Sequence, residues 1–195
     1  MEEFADFKKY KWFYTLSEKL IIAGKSSEQN DSMLKKVKSL KKEFIIMHTS
    51  SPGSPFSVIL SNIEKVNKDD IEECAVFTAC FSRAWKSGKK KASVDIFSSN
   101  QLRKSNEMKS GTWGVIGKVK RLIVPLLLTL TIQDSTMRAV PEKSIKNKKE
   151  ILLKICPGKI SKEDFITKLA VEIGEKFSQT EILSALPAGG IKISR

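Results

Sequence analysis

The sequence predicts an α+β fold, with a mixed, largely antiparallel sheet, a central buried helix and C-terminal helices. Short apolar or aromatic runs bounded by turn residues recur along the 195 residues, and such runs are typical of strands. Between them lie segments with helical spacing of apolar residues, one of them apolar on nearly every side. The elements alternate as strands, helix, strands, helix, strands and helix, which favours this class.

The first predicted elements are two strands and a helix. Residues 11–25 read as two short strands around a turn, the second ending in a glycine. Ser26 and Gln29 have the spacing of a capping box at the start of the helix that follows. Two further strands, 43–48 and 56–60, are separated by a loop rich in proline and glycine.

Residues 70–86 form the helix that we expect to be central. Its apolar residues lie on nearly all sides, and a helix of that kind is buried all round. Asp69, with a glutamate three residues later, predicts where the helix begins, and Gly88 predicts where it ends. We therefore expect both Phe77 and Phe81 to be buried.

The rest of the chain reads as strands followed by helices. The strand-like segments are 92–97, 111–118, 122–133 and 150–158. An amphipathic helix capped by Ser161 follows, and after it come a short helix, a turn and a basic tail. We expect a single domain, with residues 1–121 as a core module and residues 122–195 as C-terminal strands and helices.

Composition limits the classes of function. The longest apolar run, residues 122–132, is well short of the roughly 20 residues that span a bilayer, and no secretory signal is visible. Cys74, Cys80 and Cys156 show no CxxC spacing, so we expect reduced core cysteines. These observations predict a soluble, cytoplasmic protein without a metal or a cofactor.

Positive charge is concentrated in one part of the sequence. The net charge at pH 7 is +13, and residues 83–121 contain eleven basic but only two acidic side chains, together with Trp85 and Trp113. Basic side chains neutralise phosphates and flat aromatic rings stack on unpaired bases, so this span predicts a nucleic-acid surface. The residues expected to contact phosphates or bases are Arg83, Lys86, Lys89, Lys90, Lys91, Arg103, Lys104, Lys118, Lys120 and Arg121. In the alternative interpretation, the lysines only solvate a surface and both tryptophans belong to the core.

Three further classes of function stay open. His48, the only histidine, would need a partner within hydrogen-bonding distance to act in RNA cleavage; we expect a structural hydrogen bond instead, with RNA contact as the next alternative. Attachment to an anionic membrane would require a basic amphipathic helix, whereas the basic cluster lies mostly in loop-like and strand-like sequence. A scaffold protein would keep the fold but show no salt-dependent binding to RNA.

Several motifs resemble those of one family. Residues 11–31 combine a Trp–Phe strand, a glycine–basic turn and a Gln–Asn–acid sequence, and residues 75–97 combine a helix, a Ser–Arg–Ala–Trp corner and a Val–Asp strand. With residues 43–60, 110–121 and 181–193, they resemble the archaeal-type NFACT-R module, the RNA-binding part of the NFACT proteins of ribosome-associated quality control. The matching positions include Trp12, Phe13, Gly24, Lys25, Gln29, Asn30, Asp31, His48 and Trp85.

The resemblance implies a function in which the module, without catalysis, binds tRNA or rRNA on stalled large ribosomal subunits. It makes candidate motif residues of Lys25, Gln29, Asn30, His48 and Trp85. Full-length members begin with a long NFACT-N region, so we expect either a stand-alone module or one part of a split protein. In the second case a separate NFACT-N-type chain would be a partner. At Ser50 the sequence departs from the family, which has an acidic residue there.

Overall fold

The fold is described from a computed structural model, for residues 2–173 and 177–194. The strands are β1 (Lys11–Tyr14), β2 (Leu20–Ala23), β3 (Ile45–Thr49), β4 (Ser57–Ile59), β5 (Lys91–Ser98), β6 (Leu102–Arg103), β7 (Gly114–Val115), β8 (Lys120–Pro125), β9 (Leu128–Gln133), β10 (Thr136–Val140), β11 (Leu153–Ile160) and β12 (Ile191–Ser194). The α-helices are α1 (Ser27–Ser39), α2 (Lys68–Cys80), α3 (Arg83–Lys86), α4 (Lys162–Ile173) and α5 (Gln179–Ala185).

The strands form a six-stranded sheet, a four-stranded sheet and a two-stranded ribbon. The six-stranded sheet has the order β1-β2-β4-β3-β5-β8, the second sheet has the order β10-β9-β11-β12, and β6 pairs with β7. Every pairing between described strands is antiparallel. The predicted α+β class is therefore confirmed, and the sheets are antiparallel where a mixed sheet was expected.

Several strand predictions need correction. Only Gly114–Val115 of the predicted strand 111–118 is a strand, and 122–133 divides into β8 and β9, which belong to different sheets. Proline at 125 ends β8, since it has no N–H for the ladder. Two further strands were not predicted: β10, where Arg138 interrupts the apolar pattern, and β12, which forms in the predicted basic tail.

Helix α2 is buried as expected but has different ends. Its N-cap is Asn67, not Asp69: the Asn67 side chain accepts the Asp70 N–H at 2.9 Å, and the Asp70 carboxylate accepts the Asn67 N–H at 3.0 Å. The helix stops at Cys80, because Ser82 caps the separate helix α3. Its residue Phe77 is fully buried, whereas the expectation for Phe81 is wrong, since that ring is only half-buried.

The six-stranded sheet has a core on each face. On one face Trp12, Ile22 and Ile46 pack with the apolar stripe of α1. On the other face Phe13, Ile21 and Met47 pack with α2, and this core continues into the second sheet and the C-terminal helices. Helix α2 is thus enclosed between the six-stranded sheet and the core residues of the second sheet and the C-terminal helices.

The cysteines are all free, and their burial differs. Cys74 and Cys80 are buried in α2 as expected, whereas Cys156 is only half-buried on β11. No helix within residues 2–173 or 177–194 has the length and apolar content to cross a bilayer.

Candidate nucleic-acid interface

A corner (residues 82–88) connects α2 to β5 and is fixed from both sides. The Ser82 hydroxyl accepts the Ala84 N–H at 3.1 Å and so caps α3. Trp85 is buried, as the alternative interpretation of the tryptophans predicted, and its Nε1 donates to the Gly190 carbonyl at 3.0 Å. The corner therefore rests on a turn that is contributed by the far end of the chain.

A lysine run (residues 89–91) leaves this corner towards solvent. Gly88 has a φ of 69°, in the left-handed region that favours glycine, and it turns the chain out of α3. The main chain is fixed, because the Lys89 N–H donates to Ala84 at 3.1 Å and the Lys90 carbonyl accepts from Leu126 at 2.9 Å. Four lysine side chains here are exposed: Lys86, Lys89, Lys90 and Lys91. None of them forms an ion pair with a described residue.

Two more of the predicted lysines, Lys118 and Lys120, are exposed at the start of β8. In the ladder between β5 and β8, Lys120 lies opposite Ile96, whereas Lys91 lies opposite Pro125. Five residues of strand separate the two ends, a distance of about 17 Å at 3.4 Å per residue. Exposed cations therefore stand at both ends of this strand pair.

Two of the predicted arginines have partners within the fold. The Nη1 of Arg103 donates to the carbonyls of Asn100 and Leu102 at 2.8 and 2.9 Å. The Nε of Arg121 lies 2.6 Å from Asp95 in an ion pair. Burial opposes ionisation of Asp95, but Arg121 and Ser50 together hold its pKa below the usual value. Both guanidinium groups are still exposed, but neither is free of protein partners.

Lys104 is the predicted contact that the fold uses most. Its ammonium is mostly buried, lies 3.3 Å from the Asp31 carboxylate and also donates to the carbonyls of Lys109 and Thr112, both at 2.9 Å. The Trp113 Nε1 donates to the same carboxylate at 2.7 Å. Burial opposes ionisation of Asp31, but the Gly111 N–H, Trp113 and Lys104 together hold its pKa below the usual value. Lys104 thus fastens the segment before β7 to α1.

A cleft of about 950 Å³ lies beside the corner. Its walls are the loop between β3 and β4, the N-terminal end of α1 and residues 110–113, and Phe81 lies on the side of the corner. Among the described residues that line it, the lysine and arginine side chains are Lys11, Lys25 and Arg83, and the only acid is Asp95. The cleft is therefore cationic, and its single carboxylate is already paired.

The sequence motif around α1 builds one wall of the cleft. Gln29 accepts the Lys25 N–H at 2.7 Å, and the buried Asn30 side chain accepts the Phe56 N–H at 3.2 Å. A Cβ at Gly24 would lie 2.2 Å from the Asn30 Oδ1, so glycine is required there. Gln29 and Asn30 thus have structural uses, while the ammonium of Lys25 is left exposed at the cleft.

Arg83 reaches the cleft from the corner. Its N–H donates to the Gly53 carbonyl at 2.8 Å, and its side chain lies against Gly53, whose φ is 105°. A Cβ at Gly53 would lie 2.4 Å from the Arg83 Cδ, so glycine makes room for the arginine stem. The guanidinium is exposed and forms no ion pair with a described residue.

Lys11 is a cleft residue that the sequence analysis missed. Its ammonium lies 4.5 Å from the centre of the Phe81 ring, and burial together with the nearby Lys162, Arg138 and Lys25 lowers its pKa to about 8. A lysine at the start of an aromatic strand gives no sequence signal for such a position, because the groups that enclose it come from distant segments.

His48 occupies the strand end on which it was expected. Its Nδ1 donates to the Thr49 carbonyl at 2.7 Å, and its ring packs on Phe56 with centroids 4.6 Å apart. Burial lowers the pKa of His48, so the ring is mainly neutral at pH 7. Ser50, where the family has an acid, donates to Asp95 at 2.8 Å.

The family follows from comparison with known sequences. A model of the family described as NFACT protein RNA binding domain matches residues 9–117, which is more than half of the chain. The chain belongs to this family. The matched residues of the NFACT RNA-binding domain include the lysine run, the corner and nearly all of the cleft, whereas the second sheet lies outside the match. Family membership supports an RNA-binding role.

Two known proteins are similar to this NFACT RNA-binding chain. The archaeal Rqc2 homolog aRqcH of Methanocaldococcus jannaschii is 29% identical over 201 residues, which cover 96% of this chain and 29% of that protein. The chain thus spans less than a third of that relative. A solved structure, the C-terminal part of the fibronectin/fibrinogen-binding protein from Streptococcus suis, has 25% identity and a TM-score of 0.52, covering 59% of this chain and 44% of that one.

Proposed function

We propose that this chain is a non-catalytic RNA-binding module whose target is tRNA or rRNA. The binding surface is a basic face, which we define as Lys86, Lys89, Lys90, Lys91, Lys118 and Lys120. Its site of action is the stalled large ribosomal subunit in the cytoplasm, as the resemblance implies. A separate NFACT-N-type chain is the proposed protein partner.

One observation carries the proposal: the lysines of the basic face have no acidic partner among the described residues, while Lys104 and Arg121 do. Three consecutive lysines beyond Gly88 exceed what the C-terminus of a short helix requires. They repel one another unless an anion is present. Phosphates spaced along an RNA strand would neutralise them, with release of counterions.

Catalysis is not part of the proposal. The Nδ1 of His48 is engaged with the Thr49 carbonyl and its ring packs on Phe56, while Asp95, opposite it in the ladder, is bound by Arg121 and Ser50. General acid–base chemistry would need a titratable group within hydrogen-bonding distance of the ring. No hydrogen bond joins the ring to Asp95 or to another titratable group of the described residues, which supports a structural role for this histidine.

The proposal is tested by ultraviolet crosslinking of the tagged chain in its native cells, followed by sequencing of the bound RNA. We expect enrichment of tRNA and of large-subunit rRNA. The same chain with Lys89, Lys90 and Lys91 replaced by alanine is the matched control and should recover less of both. Recovery of mRNA alone, or of no RNA above an untagged control, would contradict the proposed targets.

A further inference from the structure

We propose that the cleft beside the corner binds one unpaired nucleotide of an RNA strand. Lys11, Lys25 and Arg83 would hold its phosphate, and the half-buried rings of His48 and Phe81 would contact its base. The inference rests on the RNA binding proposed above, and it specifies that the RNA entering the cleft is single-stranded.

The charges of the cleft favour a bound anion. Lys11, Lys25 and Arg83 all line it, and no described carboxylate forms an ion pair with any of them. The one acid in the lining, Asp95, is neutralised by Arg121. Three cations line this one space, Lys25 opposes the charge of Lys11, and a phosphate bound there would relieve that repulsion.

Lys11 makes this argument stronger, because its ammonium is mostly buried. It faces Lys25, Arg138 and Lys162, and burial with these three cations opposes its charge. The ring of Phe81 lies 4.5 Å from the ammonium and stabilises the charge. A lysine in such surroundings weakens the unliganded fold, whereas a bound phosphate would compensate the charge.

The shape of the cleft favours a nucleotide over a double helix. Its volume of about 950 Å³ falls in the range of sites that enclose a whole small molecule. His48 and Phe81 line it and are only partly buried, so part of each ring is open to contact with a base. Aromatic rings stack on bases of any sequence, but only where the base face is open, as in a single strand. In a duplex those faces are covered.

The cleft is also formed in advance of any ligand. Gly53 and Gly24 allow the close approach of Arg83 and Asn30 that sets its walls. The loop between β3 and β4 is tied by the Thr49 N–H, which donates to the Ser54 hydroxyl at 2.9 Å. A site of this kind loses little conformational entropy when a ligand binds.

The test is fluorescence anisotropy with labelled oligouridine, which has no stable pairing, and with a blunt-ended RNA duplex. Two double variants are compared, each losing two exposed charges: Lys25→Gln with Arg83→Gln in the cleft, and Lys35→Gln with Lys168→Gln outside it. The cleft variant should bind oligouridine roughly tenfold more weakly and lose about 0.7 units of salt slope, because both side chains contact the same phosphate. The control should change much less, and the duplex should not distinguish the two variants.

A second measurement locates the base. Oligouridine that carries 4-thiouridine is crosslinked by long-wavelength light, and the modified peptides are identified by mass spectrometry. Crosslinks to peptides that contain His48 or Phe81 support the inference. Crosslinks confined to residues 86–91, or equal loss of affinity in both double variants, would overturn it while leaving RNA binding intact. Failure of the unaltered chain to bind either RNA would instead overturn the proposed function itself.

Discussion

The indole nitrogen of Trp85 donates to the carbonyl of Gly190, 3.0 Å away and 105 residues along the chain. Gly189, with a φ of 121°, lies so close to Lys86 that a Cβ there would be 2.8 Å from the Lys86 Cα. The turn before β12 is therefore built around the corner that presents the lysine run. The turn before β12 thus supports the surface formed by residues 86–91.

Replacement of Trp85 by phenylalanine should destabilise the protein by about 1–3 kcal/mol. The change removes the indole donor, although the Gly190 carbonyl keeps the Gly158 N–H at 3.2 Å, and it reduces the buried ring, so the lost hydrogen bond and the lost packing together account for that range. Urea unfolding followed by circular dichroism measures it. The matched control is Val171→Ala, because Val171 is 84% exposed on α4 and its truncation should have little effect. Equal stability of the two variants would show that the turn does not hold the corner.

Replacement of Phe77 by alanine should cost about 3–5 kcal/mol, through lost transfer energy and the cavity that remains. The ring is fully buried in α2, and its centroid lies 4.6 Å from those of Phe13 and Phe81. The half-buried Phe81 provides the comparison, since Phe81→Ala should cost less. The loss is read from urea unfolding midpoints. If both variants unfold at the same urea concentration, the central position of α2 is contradicted.

The fold and the candidate site were not equally accessible from the sequence. The burial of α2 was predictable because its apolar residues are adjacent along the chain. The hydrogen-bond partner of Trp85 and the edge strand β12 were not predictable, because both depend on which distant segments of the chain meet. For the same reason, the concentration of basic residues in the sequence predicted RNA contacts for Lys104 and Lys89 equally. Only the fold shows that Lys104 has Asp31 beside it, 73 residues away, while Lys89 has no such partner among the described residues.

The Asp31–Lys104 pair predicts a stability that depends on pH. Since the fold lowers the pKa of Asp31, its contribution is present above the ordinary value of 3.8 and is lost as pH falls through the folded-state pKa. Asp31→Asn should destabilise the protein by about 1–3 kcal/mol at pH 7, because the mostly buried Lys104 ammonium loses its counter-charge. Urea unfolding at pH 7 and near pH 3.5 should show that gap shrink. The control, Asp6→Asn in an exposed ion pair, should change little at either pH.

Lys11 predicts a second pH dependence, in the alkaline range, because here the charged form destabilises the fold. Its pKa is lowered from 10.5 to about 8 by burial and by Lys162, Arg138 and Lys25. Below pH 8 the folded protein carries this charge at full cost, whereas between pH 8 and 10.5 only the unfolded chain keeps the proton and stability rises. Lys11→Met should therefore stabilise the RNA-free protein by about 1–3 kcal/mol near neutral pH, and by less near pH 10. A gap that is the same at both pH values would show that Lys11 is not desolvated in the fold.

Replacement of Lys89, Lys90 and Lys91 by alanine separates a binding surface from a solvated tail. All three side chains are exposed, so unfolding stability should change by less than about 0.5 kcal/mol for each residue. If each contacts a phosphate, RNA affinity should fall with little sequence preference, and the slope of log affinity against log salt should flatten by about 2–3 units. Anisotropy titrations with tRNA over a range of salt concentrations measure the slope.

Two controls accompany the triple variant. Alanine at Lys35, Lys65 and Lys168 removes the same charge from exposed positions outside the basic face and should alter the slope far less. Lys104→Ala should show the opposite pattern of effects. It should lower the stability, because Asp31 loses its ion-pair partner, and it should change the salt slope less than the triple variant does. Matching slopes in the two triple variants would mean that net charge alone attracts the RNA, and that residues 89–91 form only a solvated tail behind the corner that Trp85 anchors.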